Sequence, residues 1–238
     1  MTMRFISISS TLFDTFHSSH HTVGGRRAPG ARIRCDERMT DVPRLLTVIA
    51  DEIVPLTRAG VAAGNKLFGA AILRTSDLST VIAATNDETS NPLWHGEIHA
   101  IKQFYELDDR PAPADCLFLA THEPCSLCLS GIAWSGFDNF SYLFSHSDSE
   151  RSFAIPHDIR ILTEVYAVPD PDRTAPAPGR DLYNRSNAFF RATDLMPLAR
   201  AQCPDRLEDL IAVYDDLSRT YQASKNEDGS ASGNIALA

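Results

Sequence analysis

The chain has 238 residues, of which 43% are hydrophobic and 22% charged, and its net charge is −9. This length can build one substantial core with extensions, and the composition is typical of a soluble globular protein. No apolar run approaches the roughly 18–20 residues that a transmembrane helix needs, so we expect no membrane span. The acidic balance argues against a general nucleic-acid binder, because phosphate contacts require Lys and Arg.

Residues 1–38 differ in composition from the rest, with six arginines against three acidic residues and no sustained periodicity. Three interpretations stay open: a cleaved organelle-targeting peptide, a disordered tail, or residues upstream of the natural start. We expect the folded domain to begin at residue 39. The five cysteines do not form the pattern of a small disulfide-bonded protein, so we expect a reducing compartment, the cytoplasm.

The first predicted elements are a helix and a hairpin. Apolar residues recur at helical spacing over 42–60, with Asp41 as the N-cap and Pro55 at a kink. Residues 66–73 and 80–85 read as two strands joined by a turn. A loop at 86–94 then leads to a second helix at about 95–107.

The second half of the domain alternates strands and helices. A short apolar run at 117–120 predicts a buried strand, and residues 140–144 and 161–168 predict the fourth and fifth strands. The connection between the last two allows either orientation, and we favour a parallel pair.

Pro-rich residues from 169 onward read as a linker, so we place the domain at 39–168. We predict a C-terminal helical extension at 169–223 that packs on the core, and a disordered tail at 224–238.

Two short motifs carry the chemistry: His95-Gly96-Glu97 and Pro124-Cys125-Ser126-Leu127-Cys128. His95, Cys125 and Cys128 supply three zinc ligands, and a catalytic zinc keeps its fourth position for water. Glu97, two residues from His95, is free to move protons. This pattern, H-x-E followed by P-C-x-x-C, is the signature of zinc nucleobase deaminases.

Residues 95–100 and 123–134 resemble the cytidine-deaminase-like superfamily of zinc-dependent deaminases, and the second stretch is most similar to the guanine deaminase and tRNA adenosine deaminase branch. The resemblance covers roughly Leu45 to Val168. It implies a three-layer α-β-α sandwich with a five-stranded mixed sheet and one Zn²⁺ per chain. It also implies Glu97 as the catalytic proton shuttle. Gly96 departs from the family, which more often has alanine there.

Other interpretations of the motifs are weaker. Structural zinc, a redox pair or coincidence would leave Glu97 and Pro124 unexplained. A zinc-protease motif needs Glu directly after the first His, and Glu97 stands one place later. His99, one turn beyond His95, is expected to pack or form a hydrogen bond rather than bind metal.

The resemblance also suggests substrate contacts. Asn86 at the end of the second strand is favoured over Asn91 as a substrate-binding residue. Phe68, Trp94 and Trp134 are candidate pocket walls, because aromatic rings stack on bases. In guanine deaminases C-terminal residues close the pocket, but for the C-terminal aromatic residues Tyr183, Phe189 and Phe190 ordinary packing is favoured over that role.

We therefore expect a zinc-dependent hydrolase of purine metabolism that removes an exocyclic amine from a free nucleobase or nucleoside, guanine-type favoured, and releases ammonia. Alternatives are a cytosine or cytidine deaminase and a deaminase of tRNA or single-stranded DNA. A non-catalytic partner subunit with the same fold is the alternative from another class. By analogy with relatives we expect a homodimer.

Overall fold

The computed structural model describes residues 41–158, 161 and 185–225. The described helices are α1 (Val42–Val48), α2 (Val54–Ala62), α3 (Gly96–Tyr105), α4 (Ser126–Trp134), α5 (His146–Arg151), α6 (Met196–Gln202) and α7 (Pro204–Ala223), with a π turn at Ile49–Ile53 and a 3-10 turn at Pro113–Asp115. The described strands are β1 (Gly69–Arg74), β2 (Thr80–Thr85), β3 (Cys116–His122), β4 (Asn139–Phe144) and β5 (Arg191–Asp194).

The five strands form one sheet in the order β2-β1-β3-β4-β5. β1 pairs antiparallel with both β2 and β3, whereas β3–β4 and β4–β5 are parallel. The prediction of a five-stranded mixed sheet is therefore confirmed. Because β1 is antiparallel to both β2 and β3, the C-terminal ends of β2 and β3 lie at the same edge of the sheet, and the two motifs follow these two strands.

Alternate residues of the strands face two separate apolar layers, as the period of two in a strand requires. Ala70 and Ile72 of β1 pack in the layer that contains residues of α3 and α4. Ala71 and Leu73 pack in the opposite layer, against residues of α1, α2, α6 and α7. Helices thus cover both faces of the sheet, which confirms the predicted three-layer α-β-α fold.

The first helical segment is interrupted where a proline was expected to disturb it. α1 and α2 are joined by the π turn at Ile49–Ile53, and Pro55 lies in the first turn of α2. Proline has no backbone N–H to donate to the preceding turn, so the helical hydrogen-bond pattern must change just before it. Asp41 caps α1 as predicted, accepting a hydrogen bond from the Arg44 N–H at 3.2 Å.

The fifth strand is not the segment that the sequence predicted. Residues 191–194 pair with β4 in parallel, with Asn139 opposite Arg191 and Tyr142 opposite Asp194. The prediction of 161–168 as this strand is wrong, although the parallel orientation beside β4 is the one favoured. Strand-type apolar character drew the prediction to 161–168, whereas 191–194 is a short, polar edge strand. Residues 162–168 lie outside the described residues.

The C-terminal segment combines this strand with two helices. Leu195, Leu210 and Tyr214 are buried in the layer that also contains α1 and α2. The predicted domain boundaries stay predictions, because residues 1–40, 159–160, 162–184 and 226–238 lie outside the described residues. Tyr183 and the Pro-rich linker lie there too.

Among residues 41–158 and 185–225, no helix combines the length and apolar character that crossing a bilayer requires.

Candidate metal centre and active site

The two motifs begin neighbouring helices. His95 is the N-cap of α3 and Cys125 is the N-cap of α4, both with extended backbone. Glu123 and Pro124 connect β3 to α4, and the Glu123 N–H donates to the Phe144 carbonyl at 2.7 Å, which fixes the turn into α4. The free N–H groups and dipole at each helix start favour negatively charged groups between them.

The three predicted ligands meet at one point. His95 Nδ1 lies 3.5 Å from Cys125 Sγ and 3.6 Å from Cys128 Sγ, and the two sulfurs are 3.5 Å apart. Zn–S bonds of about 2.3 Å and Zn–N bonds of about 2.1 Å in a tetrahedron require ligand separations of about 3.6–3.8 Å. The observed separations therefore fit a single zinc ion, and the predicted zinc site is confirmed as a geometric arrangement.

The cysteines are free thiols rather than a redox pair in its oxidised form, since 3.5 Å far exceeds the S–S bond of about 2.05 Å. Within the part of the chain that the structure describes, His95, Cys125 and Cys128 form a group of side chains whose ligand atoms lie close enough together to hold a metal ion. The donor set of two thiolates and one imidazole suits zinc.

Without metal, the ligands share protons. Hydrogen bonding from Cys128 lowers the pKa of Cys125, and burial raises the pKa of Cys128. Burial alone would lower the pKa of His95, but hydrogen bonding to the Cys125 sulfur and its charge raise it to about 9. Zinc binding must therefore displace protons from this cluster.

Glu97 lies beside the ligand cluster. Its side chain is 5% exposed, and its Oε2 is 3.4 Å from Cys128 Sγ. Burial, followed by the charge of Cys125, raises its pKa to about 7. A carboxyl group with this pKa can both accept and donate a proton near neutral pH, which general acid–base catalysis requires.

Asn86 is buried and hydrogen-bonded to the first residue of α3. Its Oδ1 accepts from the Gly96 N–H at 2.6 Å, and its Nδ2 donates to Glu88 Oε2 at 2.9 Å. An amide has two hydrogens and two lone pairs, so one donor and one acceptor position remain for a substrate. Its predicted role as a substrate contact stays a prediction.

Gly96 allows α3 to approach the sheet closely. A Cβ at this position would lie 2.8 Å from the Gly69 Cα and 3.0 Å from the Phe68 carbonyl oxygen. These are backbone atoms, which cannot move aside as a side chain can. The departure from alanine that the sequence showed thus has a local steric reason.

The three aromatic candidates lie in different surroundings. Phe68 is buried, and its ring packs edge-on against His122 with centroids 4.7 Å apart. Trp94 stacks on His99, with centroids 5.8 Å apart, and lies 5.3 Å from the Lys102 ammonium. His99 itself forms hydrogen bonds to the Thr85 carbonyl and to Gln103, as the packing interpretation expected.

The structure does not bring Trp134 to the metal ligands. It lies six residues beyond Cys128, about 9 Å along the axis of α4, and 91% of its surface is exposed. There it lines a shallow apolar groove with Leu129, Phe189 and Phe190.

Three charged residues beside the site were missed by the sequence reasoning. Lys66 and Glu88 form a buried ion pair at 2.9 Å, and Glu88 Oε1 is 3.9 Å from His95 Nε2. Asp158 is half-buried, and burial, with the charge of Cys125, raises its pKa to about 7. Glu88 follows Asn86 by two residues, which was the available signal; Asp158 comes from a segment with no motif.

Glu123 links the second motif to the C-terminal segment. Its Oε1 accepts from Arg185 Nη2 at 3.0 Å, and its Oε2 accepts from the His146 N–H at 3.0 Å. This buried carboxylate therefore joins the end of β3, the start of α5 and residue 185 in one polar network.

One family matches the chain. Residues 50–144 match the cytidine and deoxycytidylate deaminase zinc-binding region, a segment that contains both motifs. The predicted relation to the cytidine-deaminase-like superfamily is confirmed by this match. No curated protein matches the sequence.

Several solved structures resemble the chain. A guanine deaminase from Nitrosomonas europaea has 19% identity and a TM-score of 0.42, over 72% of this chain and 85% of that one. A guanine deaminase from Bacillus subtilis has 27% identity and a TM-score of 0.42, over 57% and 82%. A tRNA:A34 deaminase has 15% identity and a TM-score of 0.39, over 59% and 92%. These likenesses leave the substrate open.

Proposed function

We propose that the protein is a zinc-dependent hydrolase that deaminates a free nucleobase or nucleoside and releases ammonia. The match of residues 50–144 to the cytidine and deoxycytidylate deaminase zinc-binding region supports this proposal. One observation carries the proposal: Glu97, whose pKa is raised to about 7, lies 3.4 Å from a cysteine of the zinc site. A metal site with a structural role alone has no need of a buried carboxyl group there.

His95, Cys125 and Cys128 hold the metal in this proposal. When bound, Zn²⁺ supplies an activated water molecule at neutral pH and stabilises negative charge as a Lewis acid. Three protein ligands leave one coordination position open, as catalytic sites do. The starts of α3 and α4 place the ligands in a region of positive potential, which helps to hold them as anions.

Glu97 moves the protons. Replacing an exocyclic amine by oxygen requires a proton on a ring nitrogen before water adds, and another on the amine before it leaves. A single carboxyl group with a pKa of about 7 can take a proton from water and give it up again in the same turnover. Burial keeps bulk water from competing for that proton.

A small substrate suits the charge of the protein. The net charge of −9 opposes binding of a polynucleotide, whose affinity depends on phosphate contacts. Asn86 and Asp158 offer an amide and a carboxyl group beside the ligands, which can bind the amide-like edge of a purine such as guanine. Guanine or a related base is therefore the first candidate, and cytosine or cytidine the second.

The non-catalytic alternative is disfavoured by Glu97. A subunit kept for assembly has no use for a buried proton-transfer group, and burying a carboxyl group without need is unfavourable.

We also propose a homodimer. The groove at Trp134 and Phe189 exposes large aromatic side chains, which are uncommon on the surface of a monomer unless they serve an interface.

Ammonia release by the purified, zinc-loaded protein tests the proposal. The panel contains guanine, guanosine, adenine, adenosine, cytosine, cytidine and single-stranded oligonucleotides. The proposal expects a base or nucleoside to be deaminated while oligonucleotides are not. Turnover of an oligonucleotide alone would favour the polynucleotide alternative, and no turnover with one zinc per chain would favour the partner subunit.

A further inference from the structure

A fully buried ion pair lies directly behind the zinc ligand His95. Lys66 Nζ is 2.9 Å from Glu88 Oε1, and the side chains are 8% and 1% exposed. Two charges removed from water incur a large desolvation cost that the attraction between them often fails to recover. Such a pair therefore needs well-placed further partners, and its position points to a role beyond stability.

Each oxygen of Glu88 faces two nitrogen groups. Oε2 accepts from the Lys66 backbone N–H at 3.2 Å and from Asn86 Nδ2 at 2.9 Å. Oε1 accepts from Lys66 Nζ at 2.9 Å and lies 3.9 Å from His95 Nε2. A carboxylate can accept on both sides, whereas a glutamine would direct its NH₂ group at donors on one of them.

The His95 ring lies between Glu88 and the two sulfurs. Its Nδ1 faces Cys125 and Cys128, at 3.5 and 3.6 Å, while Nε2 faces the Glu88 carboxylate. The 3.9 Å separation is longer than a hydrogen bond, so Glu88 acts through its charge. A negative charge at Nε2 favours the tautomer with hydrogen on Nε2 and a free lone pair on Nδ1, which is the form that binds metal.

Glu88 also acts, through Asn86, on the backbone of the first motif, His95-Gly96-Glu97. It holds Nδ2 of Asn86, and the Oδ1 of that amide accepts from the Gly96 N–H at 2.6 Å. Gly96 lies between His95 and Glu97, so this chain of hydrogen bonds orients the backbone that carries both side chains.

We propose that Glu88, paired with Lys66, is a positioning residue that orients His95 for zinc and, through Asn86, fixes the start of α3. It touches neither metal nor reacting atoms. The inference rests on the zinc site of the proposed function, but it does not depend on which substrate the protein deaminates.

The test measures zinc affinity by competition with a chromophoric chelator, using the full chain at one pH. Glu88→Gln should weaken zinc binding about 10–100-fold, the usual effect of removing a partner of a metal ligand. Glu52→Gln is the matched control, because it breaks the ion pair of Glu52 with Arg44, at 3.3 Å, in the helical segment at the N-terminal side of the domain. The control should bind zinc within about 2-fold of wild type.

A second variant separates positioning from folding. Glu88→Gln leaves Lys66 buried without its partner, so Lys66→Met/Glu88→Gln removes both charges together. The metal-free form of each variant is checked by circular dichroism and thermal unfolding. A folded double variant with 10–100-fold weaker zinc binding supports the proposal.

Two results would overturn it. One is zinc affinity within about 2-fold of wild type in either folded variant. The other is failure of both variants to fold while Glu52→Gln folds, since Glu88 would then serve the fold rather than the metal site. The readout needs no turnover. A zinc-loaded wild-type protein that deaminates nothing, together with this zinc defect in the Glu88 variants, would contradict the proposed function and not the role of Glu88.

Discussion

The Glu97 carboxylate lies against Cys128, with Oε2 3.4 Å from the sulfur, although the two residues belong to different helices. Both are in the first turn of their helices, α3 and α4, and both are buried. The proposed proton-transfer group is thus placed next to a proposed metal ligand by the meeting of two helix starts rather than by a loop. Because the two side chains come from different helices, one substitution can remove the carboxyl group and keep the metal ligands, and another can remove a metal ligand and keep the carboxyl group.

Cys128→Ser should abolish stoichiometric zinc binding, because an alcohol is a much poorer zinc ligand than a thiolate. Metal analysis after gel filtration checks this result. Cys203→Ser is the matched control, because Cys203 is half-buried and lies between α6 and α7. The Cys203→Ser protein should retain one zinc per chain. Equal zinc content in the two variants would contradict the assigned ligand set.

Gly96→Ala should lower the free energy of unfolding by about 1–3 kcal/mol, the usual range for overpacking. The new methyl group would meet the Gly69 backbone at 2.8 Å. Urea denaturation of the metal-free protein measures the change.

Gly131→Ala is its control. A Cβ there would lie 2.5 Å from the Ile98 Cδ1 and 3.7 Å from the Ile101 Cδ1, and both are ends of side chains that can rotate away. Alanine also has the higher helix propensity within α4. A loss of stability in Gly131→Ala as large as in Gly96→Ala would contradict the steric account.

His122 should make the protein sensitive to acid. Burial, with the neighbouring His146, lowers its pKa from 6.5 to about 3. Between these values the unfolded chain binds a proton that the folded one does not. The contribution of the neutral His122 to the free energy of unfolding is therefore fully present above pH 6.5. It falls by up to about 1.4 kcal/mol per pH unit as the pH decreases below that value.

His122→Phe should reduce this acid sensitivity, because phenylalanine fits among the surrounding rings of Phe68, Phe144 and Tyr214 and does not titrate. Urea unfolding of metal-free protein at pH 7.5 and 5.5 should show a difference smaller by about 1 kcal/mol than in wild type. His146, whose pKa is also lowered, retains part of the effect. The same pH dependence in both proteins would refute the prediction.

Trp94→Ala should broaden substrate acceptance, with turnover of bulky nucleosides rising relative to free bases. Trp94 directly precedes the ligand His95, and its ring stacks on His99 of α3. Relative kcat/KM values for a base and its nucleoside measure the change. Trp134→Ala should leave this ratio unchanged, because Trp134 is 91% exposed and distant along α4. An unchanged ratio in Trp94→Ala would contradict the prediction.

The sequence predicted the parts of the molecule where chemistry restricts residue type. His95, Cys125 and Cys128 could be identified because few uses other than zinc need these side chains at this spacing. The continuous apolar runs of β1 and β3 likewise predicted strands.

The parts that failed depend on tertiary structure. Residues 191–194 form the edge strand because β4 offers free backbone groups, and their polar sequence carries no strand pattern. Glu88 resembles any other acidic loop residue in the sequence, and its proposed role could be inferred only from its separations from Lys66 and His95 in the fold. Aromatic type alone could not distinguish Trp94 from the exposed Trp134.

The most direct test of the central claim compares Glu97→Gln with wild type in one preparation, measuring zinc content and ammonia release from the best substrate of the panel. The account predicts one zinc per chain in both proteins and a loss of about 10²–10⁴-fold or more in kcat for the variant. Wild-type turnover in zinc-loaded Glu97→Gln would contradict it.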